Sequence, residues 1–339
     1  MSTYQRDLQS FGGHVGDEGA FHELWHGFDA LRCDHAEGRV DAVGVGLGLR
    51  AGDCGARRPT IVIQVARAGE IQPPSSLAGL PVHVEEVGDI VAPQVAVAGL
   101  NAPWLQQYDR PPCGVSIAPL GAYYAGTLGF YASSQGATYL VSCRHVLDPT
   151  LNGTVGGPGV RQPSAHDGDA SQAQIGVTKY LGALQGSVGI PPADVAAALV
   201  TGPYDPRILI GDNQFAPIAA PNASVVPGQT VRKSGRTTGA TTGRVELVTA
   251  QMTVRYANRT AQVFQDCIAV NNTARDFFEI GDDGALLTNN SFQPVGMMLA
   301  ISVGPTGIAY AQRIETVLAS LNAAAGPGAN FQIVTGTGA

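Results

Sequence analysis

Three segments carry residue types that together can hydrolyse a bond by nucleophilic attack. An apolar stretch at 138–142 leads to His145, a second one begins at Asp194, and residues 281–284 read Gly-Asp-Asp-Gly. Such chemistry needs a histidine that takes a proton, an acid that fixes its tautomer, and a nucleophile beside backbone N–H donors. A lone histidine at the end of a strand is also a common structural residue, so the interpretation depends on all three segments.

The segments around these residues have the length and pattern of β-strands. From residue 121 onward, short apolar runs recur between turn residues, a spacing typical of an all-β sandwich or barrel. The predicted strands are 137–142, 194–199, 229–231, 244–248, 253–256, 262–269, 294–300 and 307–312, and a helix over 313–321 follows them.

The N-terminal part has a different pattern. An apolar stripe of helical period predicts one helix, and its members are Phe21, Leu24, Trp25, Phe28 and Leu31. Alternating apolar residues then predict strands near 43–49, 61–65 and 82–87. We therefore expect a small α+β domain over 1–98, a Pro-rich linker over 99–116, a β domain over 117–323 and a flexible Gly-rich tail over 324–339.

Composition argues against several classes of partner. Charged residues make up 14% of the 339 residues, below the usual ~25%. The formal net charge is -7 and no Lys/Arg-rich run exists, so we expect no nucleic acid partner. No window approaches about 18 consecutive apolar residues, so we expect no membrane partner either.

Cysteine usage and the N-terminal residues predict a location. The five cysteines, Cys33, Cys54, Cys113, Cys143 and Cys267, are few and widely spaced. The first residues lack the basic-then-apolar layout of a secretory signal. We therefore expect reduced thiols and a cytoplasmic protein. Cys143 precedes His145 closely, yet we expect it to be a small buried residue and not a nucleophile.

Two other motifs have a simpler interpretation than the functional one. His22, Glu23 and His26 match H-E-x-x-H, in which two histidines bind zinc, but the pair lies away from the apolar stripe and no third histidine follows at the required spacing. Residues 233–243 are glycine-rich beside Lys233, but a Val/Thr-rich strand follows where a P-loop would open a helix. We expect a tight β connection there, no metal site and no cofactor.

Residues from about 121 to 321 resemble the trypsin-like (S1) serine proteases, especially the bacterial members. The similar segments, in chain order, are 126–129, 142–147, 231–245, 281–284 and 309–311. The resemblance implies a mainly β fold, a chymotrypsin-like double antiparallel β-barrel preceded by the small α+β domain.

The departure from this family lies at the nucleophile. The family has Gly-Asp-Ser-Gly where this chain has Gly-Asp-Asp-Gly, so Asp283 stands at the serine position. By resemblance, His145 is the base, Asp194 orients it, and the N–H groups of Gly281 and Asp283 form the oxyanion hole. Phe277 falls near the base of the family's specificity pocket, which argues against a preference for Lys or Arg. A carboxylate has no proton for His145 to remove and cannot form an ordinary acyl-enzyme.

Three functions follow from these residues. The first is a protease homologue that is inactive as written and binds a peptide or protein in the former substrate groove. The second is an active serine endopeptidase with a Ser-His-Asp triad whose serine has been replaced in this sequence. The third is a metal-dependent hydrolase that uses the His22/His26 pair or a cluster of His145, Asp194 and Asp283. In the family geometry the imidazole lies between the two acids, which leaves little room for a metal.

The resemblance also implies a charge state for the site. With Asp194 on one side of the His145 ring and Asp283 on the other, two carboxylates favour the imidazolium. We therefore expect the pKa of His145 to lie above the reference value of ~6.5. We also expect Asp194, His145 and Asp283 to form one hydrogen-bonded bridge.

Overall fold

The computed structural model describes residues 18–336 apart from 52–56, 70, 78, 93–101, 154, 157–158, 169–173, 187–189, 223 and 273–275. Side chains are described from His26 onward. Cys54, the side chains of His22 and Glu23, and the predictions at 1–17 and 337–339 therefore lie outside the described residues.

One helix and five strands form the N-terminal part. They are α1 (Glu18–Ala36), β1 (Gly44–Ala51), β2 (Arg57–Val65), β3 (Ser76–Leu77), β4 (Leu80–Glu86) and β5 (Ile90–Val91). The helix predicted from the apolar stripe is confirmed, and its Phe28 is fully buried. Among the described residues, no helix is both long and apolar enough to cross a membrane.

Nine further strands and one short helix build the middle of the chain after a 3-10 turn at Pro103–Leu105. They are β6 (Ser116–Pro119), β7 (Gly126–Thr127), β8 (Phe130–Ser134), β9 (Ala137–Ser142), α2 (Arg144–Leu147), β10 (Gly159–Arg161), β11 (Gln174–Leu181), β12 (Ala196–Val200), β13 (Ile208–Gly211) and β14 (Gln214–Ala216). The remaining elements are β15 (Thr230–Gly235), β16 (Gly239–Arg255), β17 (Ala261–Asn271), β18 (Leu286–Asn289), β19 (Pro294–Ser302), β20 (Ile308–Arg313), α3 (Ile314–Ala325) and β21 (Gln332–Ile333).

The first large sheet is antiparallel and open. Its eight strands run in the order β21-β8-β9-β12-β11-β10-β6-β7, and in the described part of the chain the end strands β21 and β7 do not pair with each other. Both end strands have only two residues, so they offer few backbone groups for closing a ring. This sheet is a half-barrel. The residues that the structure describes therefore do not form the two closed barrels that the sequence predicted.

The second large sheet contains a closed ring. Strands β15, β18, β19, β20, β17 and β16 pair in that order, and β16 pairs back to β15. All six pairings are antiparallel. The sequence predicted two strands at 244–248 and 253–256, whereas the structure has the single 17-residue strand β16 with register shifts along it.

The N-terminal strands extend this second sheet. Strand β1 pairs with β16, β2 pairs with β1, and β4 and β3 continue the order outward. Strand β16 is long enough to pair with β15 at its start and with β1 and β17 further on. The division of the chain into domains stays a prediction, and the N-terminal strands share a sheet with the ring.

Two segments expected to be irregular are ordered in their described parts. In the predicted linker, Cys113 forms a backbone bridge with Ile208. In the Gly-rich tail, Phe331 is 1% exposed and β21 pairs with β8. The few apolar residues of these segments are buried without any periodic pattern, so periodicity did not indicate order there.

The first sheet meets the 281–284 segment, which leads into the second sheet, backbone to backbone. A Cβ atom built on Gly129 would lie 2.2 Å from the carbonyl oxygen of Gly284. No side chain fits such a gap, because the obstructing atom belongs to the main chain. Gly129 therefore sets how closely the half-barrel approaches the ring.

We predict that Gly129→Ala lowers the free energy of unfolding by about 1–3 kcal/mol, since the added methyl forces the two sheets apart. Gly202→Ala is the matched control, because Gly202 is exposed and a Cβ there meets nothing within 4 Å. The control should stay within about 0.5 kcal/mol of the parent chain. Urea denaturation of the three proteins measures the difference, and equal midpoints for both variants would contradict the close approach.

Candidate active site

Strand pairing brings His145 and Asp194 together. His145 lies in α2, directly after β9, and Asp194 lies just before β12. Strands β9 and β12 are antiparallel neighbours with Ser142 opposite Ala196, so the end of one meets the start of the other. The third residue, Asp283, comes from the loop between β17 and β18 in the second sheet.

His145 is held by Asp194 through two hydrogen bonds. The ring Nδ1 lies 2.7 Å from Asp194 Oδ2, and the backbone N–H of His145 donates to Asp194 Oδ1 at 3.0 Å. Both side chains are buried, with His145 1% and Asp194 0% exposed. The acid thus fixes the orientation of the ring and leaves Nε2 facing the loop of Asp283.

The expected bridge is completed on one side only. His145 Nε2 lies 3.8 Å from Asp283 Oδ1, beyond hydrogen-bond distance, and neither atom has a hydrogen-bond partner among the described residues. The other oxygen, Oδ2, accepts the N–H of Gly281 at 3.2 Å. The Asp283 carboxylate therefore turns toward one of the two N–H groups that the resemblance assigns to the oxyanion hole.

Burial and neighbouring charges shift the pKa values of all three groups. Burial of Asp283 raises its pKa to about 7, although the positive charge of His145 and the Gly281 N–H act in the opposite direction. Burial alone would lower the pKa of His145. The charge and hydrogen bond of Asp194, together with the smaller effect of the Asp283 charge, raise it above 6.5. Burial would raise the pKa of Asp194, yet His145 and Tyr256 hold it below 3.8.

Sequence reasoning missed the groups that complete the surroundings of Asp194. The hydroxyl of Tyr256 donates to Asp194 Oδ2 at 2.5 Å. The amide of Gln312 accepts the Asp194 N–H at 2.6 Å and donates to the Asp194 carbonyl at 3.0 Å. Both residues end predicted strands, and no sequence pattern distinguishes them from other polar strand ends.

A buried carboxylate one residue earlier holds the loop of Asp283 in place. Asp282 is 0% exposed and lies 3.0 Å from Lys233 Nζ, which is also buried. Its oxygens accept the backbone N–H groups of Thr237 and Thr238 at 2.8 and 3.2 Å, and that of Glu279 at 3.1 Å. Asp282 therefore has the charge and the hydrogen bonds that a buried carboxylate requires.

The turn that donates to Asp282 is the glycine-rich segment beside Lys233. It connects β15 to β16, with Gly235 opposite Gly239, which confirms the tight β connection. Its backbone N–H groups bind a carboxylate of the protein itself. Phe277 supports this turn, since its carbonyl accepts the Thr241 hydroxyl at 2.8 Å and its ring lies 6.0 Å from Lys233 Nζ. Phe277 is buried in the core, and its place in a specificity pocket stays a prediction.

Hydrogen bonds from the first sheet fix the loop from the other side. The Thr127 N–H donates to the Asp283 carbonyl at 2.9 Å, and the Thr127 hydroxyl donates to the Gly281 carbonyl at 2.8 Å. Gly281 and Gly284 have φ values of 100° and 90°, which glycine adopts without steric cost. Residues 281–284, which we call the elbow, are therefore fixed by the first sheet, with Asp283 facing His145.

Among the residues that the structure describes, one group of side chains could hold a metal, and its members are engaged in hydrogen bonds. Ligand atoms of Cys143, His145 and Asp194 lie within 4.8 Å of one another. The Cys143 thiol is fully buried and donates to the Met298 carbonyl at 3.2 Å, and burial raises its pKa. Cys33, Cys113, Cys143 and Cys267 are all unpaired thiols. Cys143 is thus the small buried residue that the sequence predicted.

Comparisons with known proteins give distant structural similarities. No protein-family profile matches the chain, and no curated protein matches it. Protease A of Thermobifida fusca is 19% identical over 66% of this chain and 98% of that chain, with a TM-score of 0.46. A Nocardiopsis protease is 18% identical over 65% of this chain and 97% of that chain, with a TM-score of 0.44. A Cellulomonas bogoriensis chymotrypsin is 18% identical over 66% of this chain and 97% of that chain, with a TM-score of 0.44.

The first prediction from the site concerns the charge of His145. We expect an NMR titration to give a pKa above that of free histidine, and a lower value in Asp283→Asn, because that variant removes one of the two facing carboxylates. An unchanged pKa in Asp283→Asn would contradict the 3.8 Å approach of the two side chains.

The second prediction concerns stability and pH. Asp283 has a pKa of about 7 in the folded protein, against an ordinary 3.8. The stabilisation of the folded state by its protonation is therefore greatest below pH 3.8 and is lost as pH rises through 7. The raised pKa of His145 acts in the same direction. Between pH 5 and pH 8 we expect the parent chain to lose about 2 kcal/mol of unfolding free energy relative to Asp283→Asn. Urea denaturation at both pH values measures this, and parallel pH profiles would refute it.

Proposed function

We propose that this chain is a non-hydrolytic relative of the S1 serine proteases that binds an extended peptide or protein segment. The observation that carries the proposal is the placement of the Asp283 carboxylate, with one oxygen on the Gly281 N–H at 3.2 Å and the other 3.8 Å from His145 Nε2. The two groups that would activate a nucleophile and stabilise an oxyanion both face this carboxylate.

Acyl transfer is unsupported by this arrangement for three physical reasons. Asp283 offers His145 no alcohol or thiol proton, so no alkoxide or thiolate forms. Its Oδ2 accepts the Gly281 N–H at 3.2 Å, and an oxyanion would have to displace this oxygen from that donor. Its Oδ1 also lies 3.8 Å from His145 Nε2, where a scissile carbonyl carbon would have to enter. Loss of a serine nucleophile alone costs about 10⁶ in kcat in a measured protease.

Binding in place of cleavage is supported by the sheet edges next to the site. The C-terminal ends of β16 and β19 hydrogen-bond to a short extended segment, β5, in addition to their neighbours in the ring. Sheet edges of this kind take extended peptides through main-chain hydrogen bonds. Tyr256 directly follows β16 and donates to Asp194, which places this edge beside the site.

A second candidate is an active serine endopeptidase whose serine has been replaced in this sequence. The 2.7 Å contact between His145 and Asp194, together with the rigid elbow, favours it, because base and orienting acid retain a working geometry. The coding sequence at codon 283 distinguishes the two candidates: serine supports the endopeptidase, and aspartate supports the non-hydrolytic protein.

We predict that the chain as written does not react with a fluorophosphonate probe, and that Asp283→Ser does. Serine supplies a proton for His145, and the Gly281 N–H becomes available to the oxyanion. Intact-mass spectrometry measures the labelling. The matched control is Asp283→Asn, which also removes the charge but has no hydroxyl and should stay unlabelled.

The double variant Asp283→Ser/His145→Ala tests whether labelling needs the base, and it should react at least 100-fold more slowly than Asp283→Ser. Hydrolysis of peptide substrates by the unmodified chain would overturn the proposed function. A folded Asp283→Ser that stays unlabelled would show that the elbow does not present residue 283 to His145.

A further inference from the structure

A two-residue strand from the N-terminal part joins two strands that the ring does not pair. Strand β5 pairs in parallel with β16, Ile90 opposite Val254, and antiparallel with β19, Val91 opposite Ile301. Within the ring, β16 pairs with β15 and β17, and β19 pairs with β18 and β20. The ring is therefore closed without β5. The segment therefore occupies a site that the barrel does not need for closure.

Main-chain hydrogen bonds fix the segment on both sides. The Ala92 N–H donates to the Arg255 carbonyl at 3.0 Å on the β16 side. On the β19 side, the N–H groups of Val303 and Gly304 donate to the carbonyls of Asp89 and Val87 at 3.0 and 2.7 Å. These bonds join main-chain atoms only, and Ile90–Val91 are extended, so the position is a strand site in the sense of β-sheet addition.

The side chains of the segment give this site a selective pattern. Val87 and Ile90 are 0% and 1% exposed, and Val91 is partly buried against the apolar cluster that contains Val45 and Val270. Asp89 faces outward and lies 3.1 Å from Arg255, with both side chains about half exposed. The site thus favours an extended segment with apolar residues at three positions and an acid in between.

One position of the pattern must be glycine. Gly88 has a φ of 73°, and a Cβ there would lie 2.4 Å from the backbone nitrogen of Gly304. A Cβ on Gly304 would in turn lie 2.4 Å from the Val87 carbonyl. The segment and the end of β19 therefore touch main chain to main chain, and a single methyl at residue 88 cannot be accommodated without displacement.

The strand site is continuous with the candidate active site. Arg255, which accepts the Ala92 N–H, is followed by Tyr256. The Tyr256 hydroxyl lies 2.5 Å from Asp194, and its ring centre lies 5.8 Å from that of His145. A segment bound at the strand site therefore contacts Arg255, the residue next to Tyr256, and Tyr256 contacts Asp194 of the candidate active site.

We infer that residues 87–92, Val-Gly-Asp-Ile-Val-Ala, act as a built-in ligand that fills the peptide-binding edge of this protein. The partner is an extended segment of another protein with the same pattern, glycine and an acid followed by two β-branched residues, which replaces 87–92 by strand exchange. This inference rests on the proposed function and names the binding edge and its ligand. The tethered segment competes at a high effective concentration, so an added peptide binds weakly until the segment is displaced.

A fluorescent peptide with the sequence of residues 87–92 tests the inference on the full chain. We expect Gly88→Ala to bind it at least tenfold more tightly than the parent chain in an anisotropy titration. Gly69→Ala is the matched control, since Gly69 has a φ of 85° but no atom within 4 Å of an added Cβ. It should bind like the parent. A peptide with aspartate at the Ile and Val positions should bind to none of the three proteins.

A reversible disulfide that fixes the segment to β19 provides a second test if Gly88→Ala does not fold. Val91→Cys/Ile301→Cys places two thiols on opposed antiparallel residues, a spacing compatible with a disulfide. The oxidised protein should lose peptide binding at least tenfold relative to the reduced one. Equal binding by both forms would overturn the inference, as would a folded Gly88→Ala that binds like the parent chain. Fluorophosphonate labelling of Asp283→Ser tests the proposed function and does not depend on these titrations. A failure of the proposed function can therefore be distinguished from a failure of this inference.

Discussion

The buried pair of Asp282 and Lys233 is the interaction on which the rest of the site depends. Both side chains are removed from water, and a buried carboxylate is stable only when charges and hydrogen bonds satisfy it. Asp282 meets that requirement with Lys233 at 3.0 Å and with N–H groups of the 237–238 turn. Because the pair lies at the base of the elbow, it determines where the next residue, Asp283, can point. Losing either partner would leave an uncompensated charge in the core.

A rigid elbow explains why Asp283 is accommodated at all. Residue 283 must face His145, and its carboxylate is 1% exposed. The Gly281 N–H and the positive charge of His145 offset part of the desolvation cost, but burial is the larger effect and the pKa of Asp283 stays raised. Asp283 accepts one hydrogen bond, from the Gly281 N–H, and its other oxygen faces His145 Nε2 at 3.8 Å. The result is a polar contact across the two sheets, with the His145–Asp194 pair kept in its orientation.

The sequence predicted those parts of the fold that depend on local pattern. Strand Ala137–Ser142 matches its prediction to the residue, because its apolar run directly follows the turn residues Gln135 and Gly136. Strand Gln174–Leu181 was missed, since its polar positions hide the alternation. The meeting of His145, Asp194 and Asp283 followed from the resemblance. The turn of Asp283 toward Gly281, the support from Tyr256 and Lys233, and the insertion of β5 were not predictable, because each depends on contacts between residues far apart in the chain.

A crystal structure of the full chain at neutral pH would test the central claim most directly, through the position of one carboxylate. The account predicts Asp283 Oδ2 within hydrogen-bond distance of the Gly281 nitrogen, near the 3.2 Å seen here, and Oδ1 facing His145 Nε2 at about 4 Å. A carboxylate that points away from both groups, with the Gly281 N–H open to solvent, would contradict it. The Gly281 N–H and His145 Nε2 would then both be free of this carboxylate, and the proposed non-hydrolytic function would lose its physical support.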